Sequence, residues 1–174
     1  NLNTFQERYQ LLLNDPLFEQ LDGKFRATSV LGKSQLDLDV IRGKKNALSA
    51  QIDNFGSPST GEEQLTVRAR SHNLTGDGDQ LHLQLKAKDG ALGGEVGFYL
   101  PVNASKWLLG ARYSFNKSDI IEEQLETLDI ENDYQGIELN LQYPLVETLK
   151  KNIMLSVSMS VRENEGTLLD IPFS

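Results

Sequence analysis

The chain has 174 residues, a net charge of −8 and no cysteine. Without cysteine it has no disulfide, no thiolate metal site and no cysteine nucleophile. Its negative charge argues against a general nucleic-acid-binding protein, which usually presents a basic surface. No run of about 18 apolar residues occurs, which excludes a transmembrane helix but not the alternating strands of a membrane-spanning barrel. The first residues show no methionine, basic segment or apolar segment, so we expect a processed protein or a segment of a longer one.

Residues 1–43 show the pattern of a small α+β unit. Apolar residues recur at intervals of three and four within Leu2–Leu13, which predicts a helix, and an Asn-Asp-Pro sequence at 14–16 predicts its end. Two strands are predicted next, at about 18–30 and 34–41, joined by the turn sequence LGKS. A unit of this size is too small to bury a good core by itself.

Residues 44–174 follow a different pattern, that of successive strands. Turn-rich stretches separate the strands, and no helical periodicity intervenes. The predicted strands are 46–55, 63–72, 80–88, 94–102, 106–116, 134–145 and 152–162. The predicted fold is therefore mainly β: an antiparallel meander of about seven long strands, preceded by the small α+β unit.

Apolar and polar residues alternate along each predicted strand, so the sheet has a charge-free apolar face and a polar face. A soluble sandwich also alternates, but two features favour the wall of a barrel in a lipid bilayer. The strands are about nine to twelve residues long, close to what a tilted strand needs to cross a bilayer. Trp107, Phe115 and Tyr143 lie on the apolar face towards strand ends, where membrane barrels carry aromatic residues. One long loop, at 117–133, is predicted on the outer side.

The charged side chains of the polar face are the candidate functional residues. We predict that they line a water-filled lumen and contact a plug or an extended client polypeptide; the alternative is an ordinary solvated face. The residues are Asp53, Arg68, Arg70, His82, Lys86, Lys88, Glu95, Arg112 and Glu138.

No group of residues indicates catalysis. His72 and His82 have no convergent acidic pair nearby, so we interpret them as solvated strand histidines and not as metal ligands. The adjacent pairs Glu62-Glu63 and Glu122-Glu123 diverge in a strand or loop and make poor general acid–base pairs. We therefore predict no catalytic residue, no metal site and no cofactor.

Several stretches of the chain resemble a known family in their order and spacing. The first is a turn after an alternating strand, formed by Asp53, Asn54, Phe55, Gly56, Ser57, Thr60 and Gly61. The others are NLTGDGDQL at 73–81, FYLPVNASKWLLGARYSF at 98–115 and LQYPLV at 141–146. Together they resemble the two-partner secretion translocators of the outer membrane (TpsB-type, POTRA plus β-barrel; the hemolysin secretion/activation family).

The resemblance implies a transport function without enzymatic activity. It implies a pore in the bacterial outer membrane that recognises a secreted partner protein in the periplasm and exports it unfolded. Its implied partners are that extended client polypeptide and outer-membrane lipid, with no nucleic acid. Residues 1–43 then correspond to the C-terminal part of a periplasmic POTRA domain, and 44–174 to the first strands of a transmembrane β-barrel.

This chain also departs from the family pattern. A family barrel has about sixteen strands, within the usual even-numbered range, so seven strands imply an incomplete barrel. We expect the isolated fragment to self-associate through its open sheet edges. Two alternatives stay open: a soluble all-β binding module, and a barrel-assembly factor of the same superfamily.

Overall fold

The structure is a computed structural model that describes residues 2–13, 17–30, 32–102, 107–169 and 171–173. Helix α1 spans Leu2–Leu13. The strands are β1 (Phe18–Ala27), β2 (Ser34–Arg42), β3 (Asn46–Asp53), β4 (Gln64–His72), β5 (Gln80–Lys88), β6 (Ala91–Pro101), β7 (Leu108–Asp119), β8 (Ile130–Glu147), β9 (Asn152–Leu168) and β10 (Ile171–Phe173). Short 3-10 helices occupy Pro58–Thr60 and Glu126–Leu128. The predicted helix stop at 14–16 and the turn at 103–106 lie outside the described residues.

Helix α1 packs on the two-stranded antiparallel sheet formed by β1 and β2. The rings of Phe5 and Phe25 meet edge to face with their centroids 5.3 Å apart, and the Tyr9 hydroxyl donates a hydrogen bond to the Leu21 carbonyl. Leu21 is 6 % exposed and is the one buried hydrophobic side chain among the described residues. The predicted helix-strand-strand order is therefore present, with a very small core. Within the described ranges, no helix has the length and hydropathy to cross a membrane.

The remaining strands form one antiparallel sheet in which sequence neighbours are spatial neighbours, in the order β10-β9-β8-β7-β6-β5-β4-β3. The predicted meander of seven long strands is confirmed by β3 to β9. The short strand β10, which pairs with the end of β9, was not predicted. Such a meander forms because each turn connects adjacent antiparallel strands and period-two alternation keeps every strand in the same facial register.

The predicted long loop at 117–133 is present but shorter, because β7 extends to Asp119 and β8 begins at Ile130. Lys117 lies opposite Asp133 in the ladder, and the Lys117 Nζ atom is 2.9 Å from Asp133 Oδ2. The connection is reduced to residues 120–129. Strand β9 also runs on to Leu168, beyond its predicted end. Strand pairing depends on backbone hydrogen bonds, so it persists where polar residues on both faces obscure the alternation.

The apolar face of the large sheet is uncovered. Its side chains include Leu48, Ile52 and Val161, which are 77 %, 80 % and 70 % exposed. Among the described residues, no second sheet packs against this face. A soluble sandwich buries its apolar faces against each other. In this sheet the apolar face is exposed instead.

Candidate functional site

The polar face of the large sheet is its more sheltered face. Along β8, Glu138, Asn140 and Gln142 are half-buried, whereas the intervening Ile137 and Leu139 are exposed. Strand β7 repeats the pattern. A curved sheet shelters its concave side, so the polar face is concave and the apolar face is convex. This is the arrangement of a barrel wall with a wet lumen and a lipid-facing exterior.

On strands β4 and β5, basic side chains occupy successive rungs of the polar face. Arg70 lies opposite His82, Arg68 opposite Gln84, and Thr66 opposite Lys86. Lys88 follows two residues further along β5. We call this set the basic ladder: Arg68, Arg70, Lys86 and Lys88.

Two cations of the basic ladder, Arg68 and Lys88, are hydrogen-bonded to neutral partners. Arg68 Nε donates to Gln84 Oε1 at 2.8 Å, and its Nη1 donates to Gln51 Oε1 at 3.3 Å. Lys88 Nζ donates to the Thr60 hydroxyl at 2.8 Å. Among the described residues, no carboxylate forms an ion pair with any member of the ladder. Within the described residues, these cations therefore have no direct ion pair, and Glu95 on the adjacent strand β6 lies opposite Gln84.

On strands β6 to β8, charged side chains of opposite sign lie next to one another on the polar face. Arg112 Nη2 donates to the Tyr99 hydroxyl at 2.9 Å, and its Nη1 lies 3.8 Å from Glu95 Oε2. Glu138 is directly opposite Arg112 in the ladder. Because one cation faces two carboxylates, this cluster is net negative, whereas the charged side chains of β4 and β5 are cations.

Glycines in the same region let two tyrosine rings lie flat against the wall. Tyr99 lies opposite Gly110, and a Cβ atom added at Gly110 would be 2.6 Å from the Tyr99 ring. A Cβ added at Gly136 would be 2.7 Å from the Tyr134 hydroxyl oxygen. Both distances are shorter than any real side-chain contact. Glycine is therefore what allows these rings to follow the wall instead of projecting from it.

The two histidines lie side by side on the polar face. The ring centroids of His72 and His82 are 6.5 Å apart, and those of His82 and Tyr99 are 5.8 Å apart. Within the described part of the chain, no group of three or more His, Cys, Asp or Glu side chains could hold a metal ion. The edge-to-face contacts make the histidines part of the wall's packing.

All nine predicted site residues lie at polar-face positions of the register. The structure brings Glu95, Arg112 and Glu138 together. Glu95 also lines one concavity of the polar face with Lys86 and Lys88 of the basic ladder. Asp53 lies at the outer end of β3, where it accepts hydrogen bonds from the Gln51 side chain and the Phe55 backbone. Their contact with a client is still a prediction.

Sequence reasoning missed two residues of this surface. Tyr99 was assigned to the polar face but not to the site, because its place over Gly110 depends on the strand register. Arg162 lies opposite Gly136 on β9, at what was the predicted end of its strand. The alternation of Arg162 with apolar Val161 is a signal that could have identified it.

The first turn, at residues 54–63, leans over the polar face. Its backbone closes when the Gly56 amide donates to the Glu62 carbonyl, and a Cβ atom at Gly56 would be 2.2 Å from the Gly61 oxygen. Gly61 has a φ of +98°, which side chains disfavour. The Thr60 carbonyl accepts from the Gly90 amide, so the turn also contacts the β5–β6 tip. These constraints explain both glycines of the predicted motif.

The turn between β4 and β5 is organised by one carboxylate. Asp79 is fully buried and accepts hydrogen bonds from the Leu74 amide at 3.0 Å and the Thr75 amide at 2.8 Å, and from the Thr75 hydroxyl. The hydroxyl bond, aided by the two amides, holds the pKa of Asp79 below its usual value and outweighs the opposing effect of burial. Asn73 takes a φ of +56° to start the turn. The NLTGDGDQL motif is therefore a hydrogen-bonded turn that connects the two strands of the basic ladder.

The family model for the haemolysin secretion/activation protein ShlB/FhaC/HecB matches residues 32–173. The chain belongs to this family. Its members are protein translocators and not enzymes. The predicted resemblance to two-partner secretion translocators is thereby confirmed. No curated protein gives a significant sequence match.

Two solved structures share the fold. CdiB from Escherichia coli aligns with a TM-score of 0.74 at 21 % identity, over 91 % of this chain and 31 % of that one. BamA from Haemophilus ducreyi lacking POTRA domains 1–3 aligns with a TM-score of 0.69 at 11 % identity, over 91 % of this chain and 29 % of that one. The chain thus spans about a third of either protein. Together with the family match, these structures support an outer-membrane β-barrel translocator.

Proposed function

We propose that this chain forms part of the wall of an outer-membrane pore that recognises a secreted partner protein in the periplasm and exports it unfolded. The observation that carries the proposal is the distribution of side chains on the large sheet. Exposed apolar side chains lie on the convex face, and polar side chains lie on the concave face. Lipid would cover the first face, and water and client would occupy the second. The family match supports transport as the role of the pore.

Residues 1–43 would be the C-terminal part of a POTRA domain in the periplasm, and 44–174 the first strands of an incomplete barrel. The order of α1, β1 and β2 supports this division. Among the described residues, each strand of the two-stranded sheet has one unpaired edge. An extended client could add itself to such an edge as a further strand, which is a common mode of peptide binding.

The large sheet also has two unpaired edges among the described residues, at β3 and at β10. Unpaired backbone groups are costly in lipid, so a stable pore needs further strands to pair with both edges. We propose that an isolated fragment of this length would instead self-associate through them.

Export is tested by deleting the complete gene in its own host and comparing the proteins of the culture medium. We expect one secreted protein to disappear from the medium and to return when the gene is restored. A barrel-assembly factor, supported by the fold shared with BamA, would instead lower many outer-membrane proteins at once. An unchanged medium with unchanged outer-membrane proteins would contradict both functions.

The orientation of the wall is tested with a matched pair of single cysteines, because the chain has none of its own. Val157 lies on the apolar face of β9 and Ser158 on the polar face. In cells, we expect Ser158→Cys to react with a water-soluble maleimide and Val157→Cys to be protected by lipid. Equal labelling of both, or recovery of the protein in the soluble fraction, would favour the soluble β module.

A further inference from the structure

We propose that the basic ladder is a track for acidic stretches of the exported polypeptide. This inference rests on the proposed function and specifies the chemistry of the client. It begins from the positions of Arg70, Arg68, Lys86 and Lys88, which place one cation at each of four successive levels of the β4–β5 pair.

The spacing of the ladder matches an extended polypeptide. Side chains on one face of a strand repeat every two residues, or about 7 Å. Four levels therefore cover about 20 Å along the wall, most of the thickness of a bilayer core. An extended client has the same repeat, so carboxylates at alternate positions can meet successive cations without a change of its backbone.

The charge of the ladder is available to a ligand. Arg70 and Lys86 form no hydrogen bond or ion pair through their side chains with the described residues, and both are exposed. Arg68 and Lys88 donate to amide and hydroxyl oxygens, which leave their charge intact. The chain has a net charge of −8, and four cations without a direct ion pair among the described residues attract anions to this part of the polar face.

The position of the ladder favours a polypeptide over anionic lipid. All four cations project from the concave polar face, opposite the exposed apolar side chains that would meet lipid. Exposed ion pairs are individually weak, so each contact would hold a carboxylate only briefly. Weak and repeated contacts suit a surface along which a chain must slide without being trapped.

The experiment uses the protein expressed from its complete gene, purified and inserted into planar lipid bilayers. The probe is a synthetic peptide of alternating Asp and Ser residues; its comparison is the same peptide with Asn in place of Asp. The ladder variant carries R68Q, R70Q, K86Q and K88Q. The matched control carries K44Q, K117Q, K150Q and K151Q, which remove the same number of positive charges at positions outside the polar face of the large sheet.

We expect the acidic peptide to interrupt the current of the unmodified protein more often than the Asn peptide does. The ladder variant should lose this preference by about tenfold, as four exposed ion pairs of ordinary strength would together account for. The control variant should keep it, and higher salt should weaken it in the unmodified protein. If the ladder variant fails to insert, R70Q with K86Q is the substitute, because neither side chain has a hydrogen bond or ion pair with the described residues.

Two outcomes overturn the inference without affecting the proposed pore. One is an equal response to the two peptides, and the other is an equal loss in the ladder and control variants. Failure of the unmodified protein to conduct ions at all would overturn the proposed pore itself, and with it the inference.

Discussion

Strands β4–β5 and strands β6–β8 belong to one face of one sheet, yet they handle charge differently. On β4–β5 the cations are bound to neutral oxygens or have no partner among the described residues. On β6–β8 Arg112 lies between Glu95 and Glu138 and is hydrogen-bonded to a tyrosine. The first region has no direct ion pair among the described residues, whereas in the second an arginine joins neighbouring strands.

The two regions also differ in their glycine content and in the exposure of their side chains. Strands β6 to β8 contain Gly97, Gly110 and Gly136, all buried beneath neighbouring side chains of the polar face. Strands β4 and β5 contain no glycine, and two of their basic side chains, Arg70 and Lys86, are exposed. The comparison distinguishes a glycine-containing region with paired charges from a glycine-free region with exposed cations. The comparison can be tested by substituting, in turn, a glycine of β7, the carboxylate of the β4–β5 turn and the charged residues of the polar face.

The largest effect is expected from Gly110→Val. The added Cβ would be 2.6 Å from the Tyr99 ring, so the ring must leave the wall and give up its bond to Arg112. We expect a loss of about 1–3 kcal/mol in the free energy of unfolding, the usual cost of overpacking. The measurement is denaturant unfolding of the complete protein in detergent micelles, followed by tryptophan fluorescence.

Ala111→Val is the matched control, because Ala111 is the next residue and faces outward with an exposed side chain. Adding Tyr99→Ala to Gly110→Val removes the clashing ring and should recover part of the loss. The flat-ring interpretation would be wrong if the two valine variants were equally stable and the double variant recovered nothing.

A smaller effect is expected from Asp79→Asn in the turn that connects β4 and β5. The pKa of Asp79 is lowered in the folded protein, first by the Thr75 hydroxyl bond. Its stabilisation is therefore fully present above the unfolded pKa of about 3.9 and is lost as the pH falls through the lower folded pKa. The variant should be less stable at neutral pH and should show a shallower loss of stability in acid.

The measurement is the midpoint of denaturant unfolding at neutral pH and at about pH 3 to 4, around the unfolded pKa. Asp77→Asn is the control, because Asp77 lies in the same turn and is exposed. An identical pH dependence for both variants would mean that Asp79 does not organise the turn.

The parts of the fold that were predictable are those set by a local period. Strand β5 was predicted with its observed bounds, and the two faces were assigned correctly along all seven long strands, because alternation repeats within each strand. The extensions of β7 and β8 were missed. Lys117 and Asp133 look like loop residues in sequence, and only their pairing across the ladder shows otherwise.

The features of the candidate site also divide into those that could be identified from the sequence and those that could not. The cations of the basic ladder could be identified from sequence, since the polar face of a strand is every second residue. The contact of Tyr99 with Gly110 could not, because it depends on which residues two strands place opposite each other. The hydrogen bond from the Ile121 amide to the Ser59 carbonyl is further beyond reach, because it joins connections separated by a hairpin.

The smallest effect, and the most direct test of the comparison, is the difference between Arg112→Gln and Arg68→Gln. Removing Arg112 leaves Glu95 near Glu138 without the cation between them and breaks the bond to Tyr99. Because Arg112 and Glu95 are 41 % and 42 % exposed, water screens the charges and the cost should be about 1 kcal/mol or less. Arg68→Gln removes no ion pair, so its cost should stay within about 0.5 kcal/mol.

A double-mutant cycle separates pairing from packing. If Glu95 and Arg112 stabilise each other, Glu95→Gln should cost less in the Arg112→Gln background than in the unmodified protein. The corresponding cycle of Arg68→Gln with Glu95→Gln should be additive, because Arg68 has no carboxylate partner among the described residues. Coupling of Glu95 to Arg68 as strong as its coupling to Arg112 would mean that the carboxylates neutralise the whole face. The basic ladder would then have no free charge to offer a client.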